Sequence, residues 1–266
     1  MGAYFLGHSQ IEMKRLIAQG EVLRPITERM LRMAGLRPGM RVLDLGCGTG
    51  DVSMLAAELV GPSGHVLGID RAEAAVGLSR MRAAQDGFRN VEFQVATEAD
   101  FVGDEPFDFV VGRYVMLHQP DPVGFLRLAI RRLRAGGMIA FHEIDMRKAF
   151  ESLPAVPHFD ALGAEVMAAI KAGSLSPDVA ARFVSVFAEA GAPLPHLFCE
   201  RPAGGGAGTP IHRWVAACVA SVRSLADPEA DVIDTDRLES ELASEAAALR
   251  SQVLGPEQCC AWAAIG

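Results

Sequence analysis

The chain has 266 residues, half of them hydrophobic, with 33 acidic against 25 basic side chains, a formal charge of −8 and a pI near 5.4. That length supports one large core, or two small ones, without disulfides or metals, and the positive mean hydropathy excludes a disordered chain. Only three of the cations are lysines and the arginines are scattered, which argues against the basic face that tracks nucleic-acid phosphates.

No apolar run approaches the ~20 residues of a membrane-spanning helix. The N-terminus shows no secretory pattern, and Leu6 stands where a myristoylation motif needs Ser or Thr. The expected location is therefore the cytoplasm. The five cysteines, Cys47, Cys199, Cys218, Cys259 and Cys260, form no CxxC pair, and are read as reduced, buried small hydrophobes with no metal site.

In chain order, Ser9 and Glu12 form a capping-box pattern that opens a helix to about Gln19, and a second helix runs from Glu21 to Ala34. Apolar runs at 41–45, 65–70, 91–96, 107–113 and 138–145 alternate with helical patterns at 51–60, 72–86 and 122–134, the last expected to stop at Gly136-Gly137. This alternation predicts a doubly wound α/β sheet with right-handed crossovers. Helical patterns follow at 159–172 and 177–190, then an extended run at 194–201, a flexible glycine segment at 203–208, helix through 209–249 and a closing strand within 251–265. The expected division is an N-terminal helical lid at 1–37, a core at 38–149, and helical insertions at about 150–175 and 209–249 within a segment, 150–266, that also closes the core.

The informative stretch is Val42-Leu43-Asp44-Leu45-Gly46-Cys47-Gly48-Thr49-Gly50-Asp51. Alternate glycines let a ligand approach the backbone and leave free amides at a helix N-terminus, where positive partial charge gathers. Asp51 occupies the sixth place, where a dinucleotide fingerprint has glycine. The departure favours a ligand with a zwitterionic end, its cation held by Asp44 and its carboxylate by the amides. Asp70 ends the next strand, where a carboxylate accepts both hydroxyls of a ribose.

With Gly68-Ile69-Asp70, Phe107-Asp108-Phe109-Val110-Val111, Leu117-His118-Gln119-Pro120-Asp121-Pro122 and Leu133-Arg134-Ala135-Gly136-Gly137, this stretch resembles the class I S-adenosylmethionine-dependent methyltransferases over roughly 38–145. Within them it looks most like the bacterial small-molecule branch that includes the ubiquinone/menaquinone enzymes and natural-product tailoring enzymes. The resemblance implies a seven-stranded Rossmann-like sheet with N-terminal helices and an inserted helical cap, and S-adenosylmethionine as cofactor. Asp44 and the loop Gly46, Cys47, Gly48, Thr49 and Gly50 would hold the methionine end, Asp70 the ribose, and Arg71 the flank of the adenosine. Thr97 stands where the family often has an acid for the adenine, with Glu98 or a backbone carbonyl as substitutes. Arg113 is read either as a neighbour of the methionine portion or as an ion-pair partner.

Methyl transfer asks the protein for alignment, a dry pocket and, for a protonated nucleophile, a base. The candidates are His118, His142 and Glu143. His118 titrates near neutrality, although it could instead only brace its loop. His142 and Glu143 point to opposite faces of their strand. Tyr4, His8 and Tyr114 are assigned to the substrate side or a lid, whereas Trp214 and Met167 read as core. The expected function is methylation of an O or C, less readily N, of a small and fairly apolar metabolite, in secondary metabolism, by a monomer or homodimer without nucleic-acid or membrane partners. Two alternatives remain: an enzyme that keeps the methyl and steers a cyclisation or rearrangement, and a non-catalytic cofactor-binding subunit.

Overall fold

The computed structural model describes residues 10–101, 105–206, 208–229 and 231–266. Five strands, β1 (Arg41–Leu45), β2 (His65–Asp70), β3 (Val91–Val95), β4 (Phe107–Arg113) and β5 (Leu133–Asp145), run parallel. Two more, β7 (His196–Glu200) and β10 (Glu257–Ala264), complete a seven-stranded sheet of order β3-β2-β1-β4-β5-β10-β7, in which β10 is antiparallel to both neighbours. The order reverses between β1 and β4, and that switch point is where ligands bind in open α/β sheets. Val42, Leu43, Val110, Val111, Ile139, Ala140 and Phe141 are fully buried, as near-continuous apolar runs are when helices cover both faces.

Helices α2 (Asp51–Val60), α3 (Glu73–Gln85) and α4 (Pro122–Ile130) form the crossovers. Helix α1 (Gln10–Met33) is continuous, where the sequence predicts two helices. Gly20 does not end the first of them: its lack of a side chain admits Asp51, whose Oδ1 would lie 2.6 Å from a Cβ at Gly20. Ser9, the expected cap, lies outside the described residues. Helix α4 also ends earlier than its apolar pattern suggests. Gly136, at φ 74°, sits inside β5, where its amide donates to the Ile265 carbonyl at 2.8 Å.

Beyond β5 the chain builds a cap. Strands β6 (Glu151–Leu153), β8 (Ala203–Gly205) and β9 (Gln252–Leu254) form a small antiparallel sheet of order β6-β9-β8, so the glycine segment expected to be flexible is partly a strand. The expected helix at 177–190 divides into a 3-10 turn, Val179–Arg182, and α6 (Phe183–Ala190), and 209–249 divides into α7 (Pro210–Ala226) and α8 (Thr235–Leu249) around Pro228. Helix α7 packs on α1, on α8 and on α5 (Pro157–Gly173), while α6 packs on α4. Among the described residues no helix is long and apolar enough to cross a membrane.

Candidate active site

At the end of β1 the chain turns through Gly46, Gly48 and Gly50, at φ 68°, 52° and 84°, a left-handed region that side-chain-bearing residues rarely enter. A Cβ at Gly46 would lie 2.8 Å from Val115 Cγ2. The turn is tied from several sides. The Cys47 amide donates to the Ile69 carbonyl at 3.0 Å, and the Arg82 guanidinium donates to the Thr49 carbonyl at 2.5 Å and to Asp51 Oδ1 at 3.0 Å. The Thr49 hydroxyl donates to Asp51 Oδ2 at 2.6 Å. Asp70 accepts from the Gly48 amide at 3.0 Å and the Ala72 amide at 2.9 Å, so the residue predicted to grip a ribose also clasps the loop.

Asp44 is buried beneath this loop. The Ser53 hydroxyl donates to its Oδ2 at 2.6 Å, while Oδ1 has no hydrogen-bond partner. Burial pushes its pKa up to about 7, opposed by the Ser53 hydrogen bond and by the charge of Arg113. A buried carboxylate with an open acceptor is costly alone and well suited to a cation.

A cavity of about 340 Å³ opens over this edge of the sheet, within the range of small-molecule sites. Of the expected cofactor residues, Asp44, Gly46, Cys47, Gly48, Thr49, Asp70, Arg71, Thr97, Glu98 and Arg113 line it. Gly50 does not; a Cβ there would lie 3.0 Å from the Phe93 ring. The Thr97 hydroxyl is engaged with Asp100 at 2.7 Å. The other end is apolar, lined by Phe150, Met167, Ile170, Trp214, Cys218 and Pro256. Gly163 of α5 lets Phe150 approach, and Phe150 meets Trp214 edge to face with centroids 5.0 Å apart. Met167 and Trp214 thus belong to the core and to the cavity at once. Tyr4 and His8 lie outside the described residues.

Arg15, Leu16 and Gln19 of α1 also line the cavity, residues that the sequence did not single out. Arg15 donates twice to Glu12, at 2.7 Å each, and to Gln19 Oε1 at 2.7 Å, while Ser221 of α7 donates to Glu12 at 2.7 Å. The signal was the Glu12, Arg15, Gln19 spacing, which puts all three on one helical face.

The three catalytic candidates fall in different places. His118, in a 3-10 turn at Met116–His118, lines the cavity, and burial together with the charges of Arg71 and Arg15 lowers its pKa to about 4. Glu143 is not among the lining residues. Its Oε1 accepts from the Val115 amide at 2.9 Å and the Met116 amide at 2.8 Å, fixing the turn that carries His118, and burial raises its pKa to about 8.

His142 is also absent from the cavity wall. Gln258 Nε2 donates to the Pro256 carbonyl at 2.9 Å, which leaves Gln258 Oε1 to accept from the Tyr114 hydroxyl at 2.6 Å and from His142 Nε2 at 3.1 Å. His142 Nδ1 then accepts from Thr27 at 3.0 Å, and Arg113 donates to the same Thr27 oxygen at 3.3 Å. Burial and Arg113 lower the pKa of His142 to about 3, so it is a neutral strut between α1 and β10. Tyr114, at φ 55°, lines the cavity, and its hydroxyl is held proton-bearing by burial. Asp145 is paired with Arg147 and stands off the wall.

Residues 36–180, more than half of the chain, match the family described as the methyltransferase domain. The chain belongs to that family. This methyltransferase-family chain is 38% identical over 122 residues to the aklanonic acid methyltransferase DauC of a Streptomyces species, a match covering 46% of this chain and 56% of that one. It is 44% identical over 121 residues to the nocamycin O-methyltransferase of Saccharothrix syringae, covering 45% and 43%, and 35% identical over 112 residues to a demethylmenaquinone methyltransferase of Listeria monocytogenes, covering 41% and 47%. The chain thus spans about half the length of the curated relatives it matches. A solved methyltransferase-type structure from Bacillus halodurans aligns with a TM-score of 0.58 over 90% of this chain and 97% of that one at 20% identity. This likeness establishes the fold.

S-adenosylmethionine is the cofactor that goes with this family. The residues present fit it: the open acceptor of buried Asp44 suits the ammonium, the left-handed glycine turn lets a ligand come close to the backbone, and Asp70 stands at the neighbouring strand end.

Proposed function

We propose that this chain transfers a methyl group from S-adenosylmethionine to an O or C nucleophile of a small, fairly apolar metabolite. The observation that carries this reading is the continuity of one cavity from Asp44, the glycine loop and Asp70 at one end to Phe150, Met167, Ile170 and Trp214 at the other. Asp44, Gly46, Gly48 and Thr49 hold the methionine end, Asp70 and Arg71 the ribose side, and residues 96–99 border the base. When bound, the cofactor supplies an electrophilic methyl on a sulfonium. The core at 38–149 then holds the donor and the cap orients the acceptor, which is the main contribution a protein makes to such a displacement. Helices α1, α5 and α7 keep water out.

His118 is unprotonated throughout the neutral range, the state that a general base needs. Its low basicity suits an acidic donor, such as an enol, a phenol or a carboxylic acid. The name of the nocamycin O-methyltransferase supports an oxygen nucleophile, and that of the aklanonic acid methyltransferase a small organic acid as acceptor; a role in secondary metabolism is part of the same reading. The net charge of −8 supports a small-molecule substrate over a polyanion, and a cytoplasmic setting fits the reading. The test is incubation with methyl-labelled cofactor and a panel of phenols, enols, quinones and polyketide acids. Label in a product supports the proposal; turnover without label transfer overturns it.

A further inference from the structure

Two cysteines meet outside the cavity. Strands β7 and β10 are antiparallel with Cys199 directly opposite Cys259, and the two sulfurs lie 2.8 Å apart. Glu257, two residues before Cys259, shares its face of the sheet because side chains alternate along a strand. One donor atom from each of Cys199, Glu257 and Cys259 lies within 4.8 Å of the other two, and this is the one such group among the described residues.

We propose that Cys199, Glu257 and Cys259 form a binding site for one thiophilic divalent cation of the zinc class, with water at the fourth corner. Two thiolates and a carboxylate are a donor set such ions take in tetrahedral geometry, with bonds of ~2.3 Å to sulfur and ~2.0–2.2 Å to oxygen. Sulfurs around such an ion stand roughly 3.8 Å apart by that geometry. Cys199 is exposed, so rotation of its side chain opens the gap and leaves the site a route to solvent. On binding, each thiol gives its proton to solvent and the ion takes its place. On the third strand the register partner of Glu257 is Asp145, whose carboxylate is held by Arg147. Asp145 therefore adds field without competing as a ligand. No ligand spacing shows in the sequence because Cys199 and Cys259 are 60 residues apart and meet only through strand register. Strand β10 is a consequential place for an ion: Pro256, just ahead of it, lines the cavity, and its Gln258 anchors Tyr114.

The test uses the full chain, reduced and stripped by a chelator, titrated with Co²⁺ as a spectroscopic probe and then with Zn²⁺. The expected result is thiolate-to-cobalt charge-transfer absorption that saturates at one equivalent and is erased by Zn²⁺. Cys199→Ser and Cys259→Ser should abolish it, Glu257→Gln should weaken binding at least about tenfold, since even loss of an outer-shell partner of a ligand costs that much, and Cys218→Ser should leave it intact. Cys199→Ser, at an exposed position, decides the matter should Cys259→Ser fail to fold. Absence of the band in the reduced protein, its survival in Cys199→Ser, or a mass lower by two hydrogens with both thiols unreactive, marking a cross-strand disulfide, would each overturn the proposal.

Discussion

Gly20 of α1 lies close against Asp51 of α2, which borders the cavity: a Cβ at Gly20 would lie 2.6 Å from Asp51 Oδ1. Asp51 cannot easily yield, since Thr49 and Arg82 hold both of its oxygens. Gly20→Ala gains about 1 kcal/mol of helix propensity against roughly 1–3 kcal/mol for overpacking. The net is a loss of about 0–2 kcal/mol while the loop is displaced, and calorimetry should show S-adenosylmethionine affinity falling several-fold. Unchanged affinity would mean that the helix adjusts without disturbing the loop.

Asp70, on the cavity wall, accepts from the Gly48 amide of the glycine loop and from the Ala72 amide of its own turn. Asp70→Ala should remove detectable cofactor binding and cost about 1–3 kcal/mol of stability through the two freed amides. Wild-type affinity in a folded variant would remove Asp70 from the binding site.

Asp44 must be ionised to hold an ammonium, and its pKa in the empty pocket is raised to about 7. Cofactor affinity should therefore fall as pH drops below about 7, approaching tenfold per pH unit, and Asp44→Asn should flatten the profile. Calorimetry in buffers of different ionisation enthalpy should show proton release on binding near neutrality. The effect on folding has the opposite sense. Because the folded pKa lies above the unfolded value of 3.8, the native state holds the extra proton, and this group's contribution to stability is lost as pH rises from about 4 through 7.

His118→Ala should lower turnover by ~10²-fold or more with little change in cofactor affinity, the size expected when an acid–base group is removed. Parity with wild type in turnover would show that the turn only braces the cavity. Its folded pKa of about 4 lies below the ordinary 6.5, so the unfolded state binds more protons between those values. Denaturant titrations should show stability lost as pH falls from about 6.5 toward 4, with His142 acting in the same direction.

Gln258→Leu removes the shared acceptor of Tyr114 and His142. Two buried donors left unpaired at about 1–3 kcal/mol each should reduce stability by about 2–6 kcal/mol in chemical denaturation. A loss below the error of that measurement would show that the network rearranges.

The strands and the glycine loop were legible because each depends on neighbours in sequence: apolar runs of strand length, a turn only glycine makes easily, an acid at a strand end. What eluded the sequence depends on distant partners. The reason for Gly20 is Asp51, the reason for the buried Glu12 and Arg15 is Ser221, and Cys199 meets Cys259 only through register. The alternation of His142 and Glu143 was readable, but the cavity lies beyond both, because Glu143 is spent on the amides of Val115 and Met116. Met167 and Trp214 read as core because one side of each is core.

Strands β6, β8 and β9 come from three separated parts of the chain and are stitched into one small sheet beside the cap. The apolar end of the cavity is therefore not modular. No single contiguous segment can be grafted from a relative to change what fits there, because each graft would arrive with its strand unpaired. Altering selectivity in this scaffold calls for side-chain changes on α5 and α7, or for exchanging all three strands together.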